Sequence, residues 1–152
     1  MNADTVRLVR DSWAQVAPHG AVAATLFYEQ LFALDGKLQH LFRSPPSVQG
    51  GRLMQMLDLA LAGLDRPETL VPVLRRLGER HVGYGVDERH YALVGQALLT
   101  TLQTALGPAF TAPVRDAWCE VYAFVSAQMM EAASEVISMA PVPSPRPAPV
   151  TP

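Results

Sequence analysis

From Val6 to Met139 the apolar residues recur at three- and four-residue steps, and no segment alternates apolar with polar over more than a few positions. A step of three or four keeps side chains on one face of a helix, whereas a strand needs a step of two. The chain therefore reads as all-α, and β structure has no support. In the first helix Val6, Leu8, Val9, Trp13 and Val16 form the stripe, with Arg7, Arg10, Asp11 and Gln15 between them. Pro18-His19-Gly20 interrupts it. A second helix spans about residues 21–34 and carries Leu26, Phe27, Leu31 and Phe32. Asp35-Gly36 breaks the pattern ahead of a short stretch, 37–42, and a loop, 43–47, in which Ser47 is the expected N-cap. The next helix, about 48–64, aligns Leu53, Leu57, Leu61 and Leu64, and Asp65-Arg66-Pro67 ends it. Another, about 68–82, aligns Leu70, Leu74, Leu77 and His81 before Gly83-Tyr84-Gly85. Asp87 should cap a helix reaching Leu106, and Thr111 with Pro113 should open the last one, to about Met139. Seven or eight helices with short connections result, without an internal repeat.

A chain of 152 residues suits one domain, and a domain of that size buries roughly two-thirds of its unfolded surface. With 12 Lys+Arg against 14 Asp+Glu the net charge is −2, so nothing electrostatic points to nucleic acid or an anionic membrane. Hydrophobic residues make up 49% and charged ones 17%; that apolar excess suits a core that covers something besides itself. The single cysteine, Cys119, excludes a disulfide framework and a multi-cysteine zinc site, and packing is its expected role. The first residues lack the basic region and apolar run of a signal peptide, and apolar stretches are cut short of a membrane span. A soluble, cytoplasmic protein is expected. Composition changes at Ala140, after which 140–152 holds six of the 13 prolines. Residues 1–139 are thus the expected domain, and 140–152 an extended, mobile, disordered tail. Pro149 and Pro152 form a lone P-x-x-P pair, for which a solvated tail is a simpler account than docking.

His81 is the informative residue, because it ends a leucine stripe and its ring should point inward. A lone histidine there is most simply a neutral core residue bonded to a carbonyl. Two further polar groups change that balance. Gln49 lies one turn before Leu53 on the inner stripe of its helix, and Tyr28 stands beside Phe27 on an apolar segment. Three buried polar groups on three helices need one another or a shared ligand. The four histidines, His19, His40, His81 and His90, form no i, i+4 pair, so a protein-only metal site has too few ligands. One imidazole is enough for haem, in which the porphyrin supplies the other four nitrogens.

The chain resembles the globin family, and more closely the bacterial single-domain globins and the globin half of flavohaemoglobins. The resemblance rests on Ser12-Trp13, the run from Leu26 to Phe32, Leu41-Phe42, the run from Ser47 to Met54, Leu77 to Val86, His90-Tyr91 and Ala117-Trp118, in order across about 3–135. It implies a globin fold of seven to eight helices around a haem pocket, with haem b as cofactor. His81 would be the proximal ligand of the iron, and Phe42 would pack on the porphyrin. Leu77 and Val86 would wall the proximal side, and Leu53 the distal side. Arg52 would lie at the pocket rim, facing either a haem propionate or solvent. Trp13 and Trp118 remain core packing. Gly36 stands where many globins have a proline.

Tyr28 and Gln49 match the two distal positions of bacterial globins, and both can donate hydrogen bonds. Donors favour a polarised ligand such as dioxygen over carbon monoxide. At about 1–1.5 kcal/mol each, two of them would slow dioxygen release on the order of a hundredfold. With Gln in place of His, a bis-histidine iron is not expected, although the Tyr28 phenol is available to ferric iron at high pH. On the proximal side Tyr91 matches the tyrosine of the flavohaemoglobin pattern, but Ala133 stands where that family has a glutamate, with Glu131 and Glu135 two residues to either side. The strong electron push of that family is therefore not expected. The function implied is reversible binding of dioxygen and other diatomics such as nitric oxide, for storage, delivery or scavenging, with no catalytic residue assigned. The alternative is a nitric oxide dioxygenase drawing electrons from a separate reductase. A sensor acting in trans, or a helical interaction module with a merely well-packed His81, stands further off.

Overall fold

A computed structural model describes residues 1–42, 44 and 46–139, leaving aside the side chains of Pro46 and Ser47. The proline-rich segment 140–152 lies outside the described residues, and so does its expected mobility. Within them are six α-helices: α1 (Ala3–Val16), α2 (Gly20–Leu34), α3 (Pro46–Ala62), α4 (Pro67–Gly83), α5 (Glu88–Leu106) and α6 (Ala112–Met139). Three 3₁₀ turns, Ala17–His19, Gly36–Leu41 and Gly107–Ala109, join them. Pro18 and Pro108 sit at the start of two of these turns, where a missing N–H costs nothing.

Local chemistry sets most boundaries. Asn2 caps α1 by accepting from the Thr5 N–H at 2.8 Å. Asp87 accepts from the His90 N–H, and His90 Nδ1 accepts from the Asp87 N–H, a reciprocal box that fixes the entry into α5. Thr111 accepts from the Val114 N–H at 3.4 Å at the start of α6. Ser47 is not the cap expected of it: α3 begins at Pro46, one residue earlier, as proline's fixed φ suits a first helical position. Gly85, at φ +83°, takes the left-handed conformation that stops α4, and the Val86 N–H then reaches back to the His81 carbonyl at 3.1 Å.

The core joins both ends of the chain. Trp13 and Trp118 meet edge to face at 6.1 Å, and each indole N–H finds an acceptor, Asp58 Oδ1 at 2.7 Å and Ser12 Oγ at 2.9 Å. Arg10 closes the end of α3 by donating to the carbonyls of Leu61 and Ala62, both at 2.9 Å. Two glycines permit close helix crossings. A Cβ on Gly50 would press on the Ala24 Cβ where α2 crosses α3, and one on Gly78 would overlap the Met129 backbone where α4 lies on α6. Arg75 also ties α4 to α6 through Glu131 and Glu135. Among the described residues no helix is long and apolar enough to cross a membrane.

Candidate functional site

A cavity of about 890 Å³ opens between these helices. All nine residues singled out from sequence line it: Tyr28, Phe42, Gln49, Arg52, Leu53, Leu77, His81, Val86 and Tyr91. Their lines of descent differ. The buried stripe of α4, with Leu70 and Leu74 at 3% and 1% exposure, carries His81 inward one turn after Leu77. The Gly50–Ala24 crossing seats the first turn of α3 against α2, which brings Gln49 beside Tyr28. Phe32 and Phe42 then enclose the phenol, with ring centroids 5.9 and 5.4 Å from it.

On the α4 side, His81 Nδ1–H donates to the Leu77 carbonyl at 2.6 Å. That bond leaves the lone pair on Nε2. Burial pushes the ring below its ordinary pKa, outweighing the carbonyl that favours its charged form. The imidazole is thus neutral at pH 7, with one nitrogen free to bind a metal. The Tyr84 ring lies 5.5 Å away and the Tyr91 ring 6.4 Å away.

Tyr28 is 9% exposed, and burial pushes its phenol up to about 12. Its hydroxyl donates to the Gln49 main-chain carbonyl at 3.2 Å, not to the carboxamide. Two of the three polar groups that sequence reasoning left needing a partner are therefore satisfied by main-chain carbonyls. The unsatisfied atom is elsewhere. Among the described residues the Tyr91 hydroxyl is the buried side-chain polar atom with no hydrogen-bond partner. Tyr122 donates to the Tyr91 carbonyl and its ring packs so close to Gly95 that a Cβ there would overlap it, which holds Tyr91 in place. Neither Glu131 nor Glu135 stands in for the carboxylate missing at Ala133, because both are exposed and face Arg75.

The mouth of the cavity is polar. Arg52 is exposed and donates to Ser44 Oγ at 3.2 Å. Arg76, Arg80 and His90 join it there, none of them singled out from sequence, since no stripe or spacing marks an exposed arginine or a capping histidine as lining a cavity. The charged residues of the lining are arginines, without a carboxylate among the described ones. An apolar slot with one neutral imidazole, an unpartnered buried hydroxyl and a cationic rim suits a flat, apolar, dianionic metal macrocycle.

Residues 25–129 match the family model described as Globin. The chain belongs to the globin family. This globin is 36% identical to neuroglobin of Danio rerio over 140 residues, covering 80% of this chain and 86% of that protein. A flavohemoprotein of Xylella fastidiosa is 30% identical over 125 residues, which is 80% of this chain but 31% of that longer protein. Among solved structures, an engineered carbene transferase built on a Rhodothermus marinus protein described as a nitric oxide dioxygenase superposes with a TM-score of 0.81. It is 27% identical, covering 91% of this chain and 96% of that one. A hexacoordinated heme protein from a tardigrade shares the fold at a TM-score of 0.79 and 18% identity. The kinship with bacterial single-domain globins expected from sequence holds, and it extends to neuroglobin. Haem is the cofactor, and the cavity fits it; the protein is a haem-binding, gas-binding globin of all-α fold.

Proposed function

We propose that this globin reversibly binds dioxygen, with His81 as the axial ligand of the haem iron and Tyr28 and Gln49 as the groups facing the gas. The observation that carries the reading is the Nδ1–H bond from His81 to the Leu77 carbonyl, which fixes the tautomer and leaves the Nε2 lone pair free on a residue that lines the cavity. When bound, haem would supply an iron able to take a diatomic ligand, with His81 as the residue that would hold it. The chain supplies the rest. Leu77 and Val86 would exclude water around the imidazole, Leu53 and Phe42 would wall the slot, and Arg52, which lines the cavity and bonds Ser44, would be the cation available to a porphyrin carboxylate. Gln49 and Tyr28 line the same cavity and would be the polar residues that meet the gas. Tyr91 is a buried donor on the His81 side, and the carboxylate of the flavohaemoglobin pattern is absent beside it. An axial base held by one neutral carbonyl favours holding dioxygen over splitting it.

The test is a set of absorption spectra of the ferric, ferrous and oxygenated forms. Repeated oxygenation without oxidation supports a carrier, and immediate loss to the ferric form opposes it. A second reading is nitric oxide dioxygenation, favoured by the likeness to the Rhodothermus marinus protein. Nitric oxide, dioxygen and one electron give nitrate, so a separate reductase would have to supply that electron. Steady nitrate production with NADH and a reductase, well above the rate of autoxidation, would favour it.

A further inference from the structure

Three exposed arginines, Arg52, Arg76 and Arg80, line the mouth of the cavity, and among the described residues none of them makes an ion pair. Arginines elsewhere do: Arg7 with Asp4, Arg10 with Asp65, Arg75 with Glu131 and Glu135, and Arg89 with Asp35. Arg52 bonds the Ser44 hydroxyl and Arg76 the Pro72 carbonyl at 3.4 Å, so their charges stay uncompensated. Arg76 and Arg80 are one turn apart on α4, a like-charge spacing that weakens a helix. Arg80 stands in the last turn, where a cation suits the helix dipole, but Arg76 is mid-helix and gains nothing there. One turn further on, Tyr84 continues the stripe, its residue 57% exposed and its ring 5.5 Å from the His81 ring. A porphyrin of the haem b type has two carboxylates, so three arginines exceed what the cofactor can neutralise.

We propose that Arg76, Arg80 and Tyr84 of α4, with Arg52 of α3, form the docking surface for an acidic electron-donor protein. The inference rests on the dioxygen-binding reading above, because a dioxygen carrier turns ferric with use and needs an electron to become ferrous again. The donor gives up one electron and the ferric protein takes it up, with no bond made or broken and no proton moved. Charge selects the partner. The whole chain carries a net charge of −2, whereas the cavity mouth is locally cationic and steers an acidic surface toward itself. Arginine and tyrosine are also enriched where proteins meet, and Tyr84 supplies the apolar contact that the three charges lack. A partner on this stripe covers the cavity mouth and touches Tyr84, whose ring packs against the axial imidazole. A small anion would need the arginines alone and leave the exposed ring without a use.

The experiment uses the haem-loaded protein and two redox proteins of opposite charge as probes, an acidic flavodoxin and a basic cytochrome c. Backbone amide shifts of the carbon monoxide form are followed during titration with oxidised flavodoxin. Changes centred on Arg76, Arg80, Tyr84 and Arg52 are expected, with none on titration with cytochrome c. Changes centred elsewhere, or an equal response to both probes, would overturn the proposal. Reduction of the ferric protein by reduced flavodoxin is then followed by stopped flow. Its rate should fall about tenfold between about 0.01 and 0.15 M salt, as the screening length shrinks from about 30 to 8 Å. Arg76→Glu should slow it about tenfold at low salt, and Arg76→Lys about twofold or less. Arg115→Glu, at an exposed site on α6 outside the cavity lining, should change it less than Arg76→Glu does. Equal slowing by those two charge reversals, or a rate indifferent to salt, would also overturn it. The amide titration needs no variant, so it decides the matter should Arg76→Glu lose haem. Failure to oxygenate falls on the dioxygen reading, whereas the titration reads docking alone, so the two failures are distinguishable.

Discussion

The imidazole of His81 donates from Nδ1 to the carbonyl of Leu77, one turn back on the same helix and 2.6 Å away. The bond selects one tautomer and orients the ring, so the metal-binding nitrogen does not depend on a neighbouring side chain. His81→Ala should therefore abolish normal axial ligation while leaving the helices intact. Ferric and ferrous absorption spectra would show it, with external imidazole restoring the wild-type bands. Unaltered spectra would pass the role to another residue.

Gln49 tests the other wall of the cavity. Gln49 lines the cavity together with Tyr28, and loss of one donor is worth about 1.4 kcal/mol, or tenfold in release. Gln49→Leu should accelerate dioxygen dissociation by about that factor and carbon monoxide dissociation by much less. Equal acceleration of both gases would point to a steric effect instead.

Two glycines give opposite expectations. A Cβ on Gly78 would run into the Met129 backbone, which cannot step aside, so Gly78→Ala should cost about 1–3 kcal/mol as α4 is pushed off α6. A Cβ on Gly51, inside α3, meets nothing within 4 Å. Gly51→Ala should stabilise by about 0.5–1 kcal/mol, because alanine gives up less backbone freedom in a helix. Urea unfolding of both variants checks the pair.

Tyr91 carries a buried hydroxyl with nothing to bond in the protein alone. Tyr91→Phe removes a desolvated donor, so the haem-free protein should be unchanged or more stable by up to about 1 kcal/mol. A larger loss in haem-free unfolding would reveal a partner for that hydroxyl. Faster haem loss from the loaded variant would locate the acceptor in the cofactor.

Alkaline stability follows from Tyr28. An exposed tyrosine ionises near 10, and burial holds this one protonated to about 12. Between those values the unfolded chain has released a proton that the native state retains, so stability falls as pH rises from 10 to 12. Below pH 10 the group is neutral in both states and contributes no slope. Tyrosinate absorbance should show a late step near pH 12 that Tyr28→Phe lacks, and denaturation midpoints of the variant should fall less steeply over the same range.

Reading the helices from sequence succeeded wherever one residue type carries the signal. The stripe Leu70, Leu74, Leu77, His81 announced the inner face of α4, Asp87 its neighbour's cap, and Gly85 the stop between them. The nine residues lining the cavity were legible because apolar spacing tells which way a side chain points, and resemblance told which positions share a pocket. Ser47 failed as a cap because Pro46, whose φ is already helical, starts the helix first.

The order of amino acids by itself determined that this chain is a set of amphipathic helices with one imidazole, one phenol and one carboxamide turned inward, since the periodicity of a helix is a property of the chain alone. The imidazole bonds within its own helix, but the partner of the phenol and the place of the proximal tyrosine were decided by tertiary structure. The Gly50–Ala24 crossing sets the Gln49 carbonyl before Tyr28, Arg75 draws Glu131 and Glu135 away from the cavity, and Tyr122 holds Tyr91 where its hydroxyl finds no acceptor. Hydrogen bonds act over about 3 Å, and contacts that short between residues far apart in the chain exist only once the helices have packed.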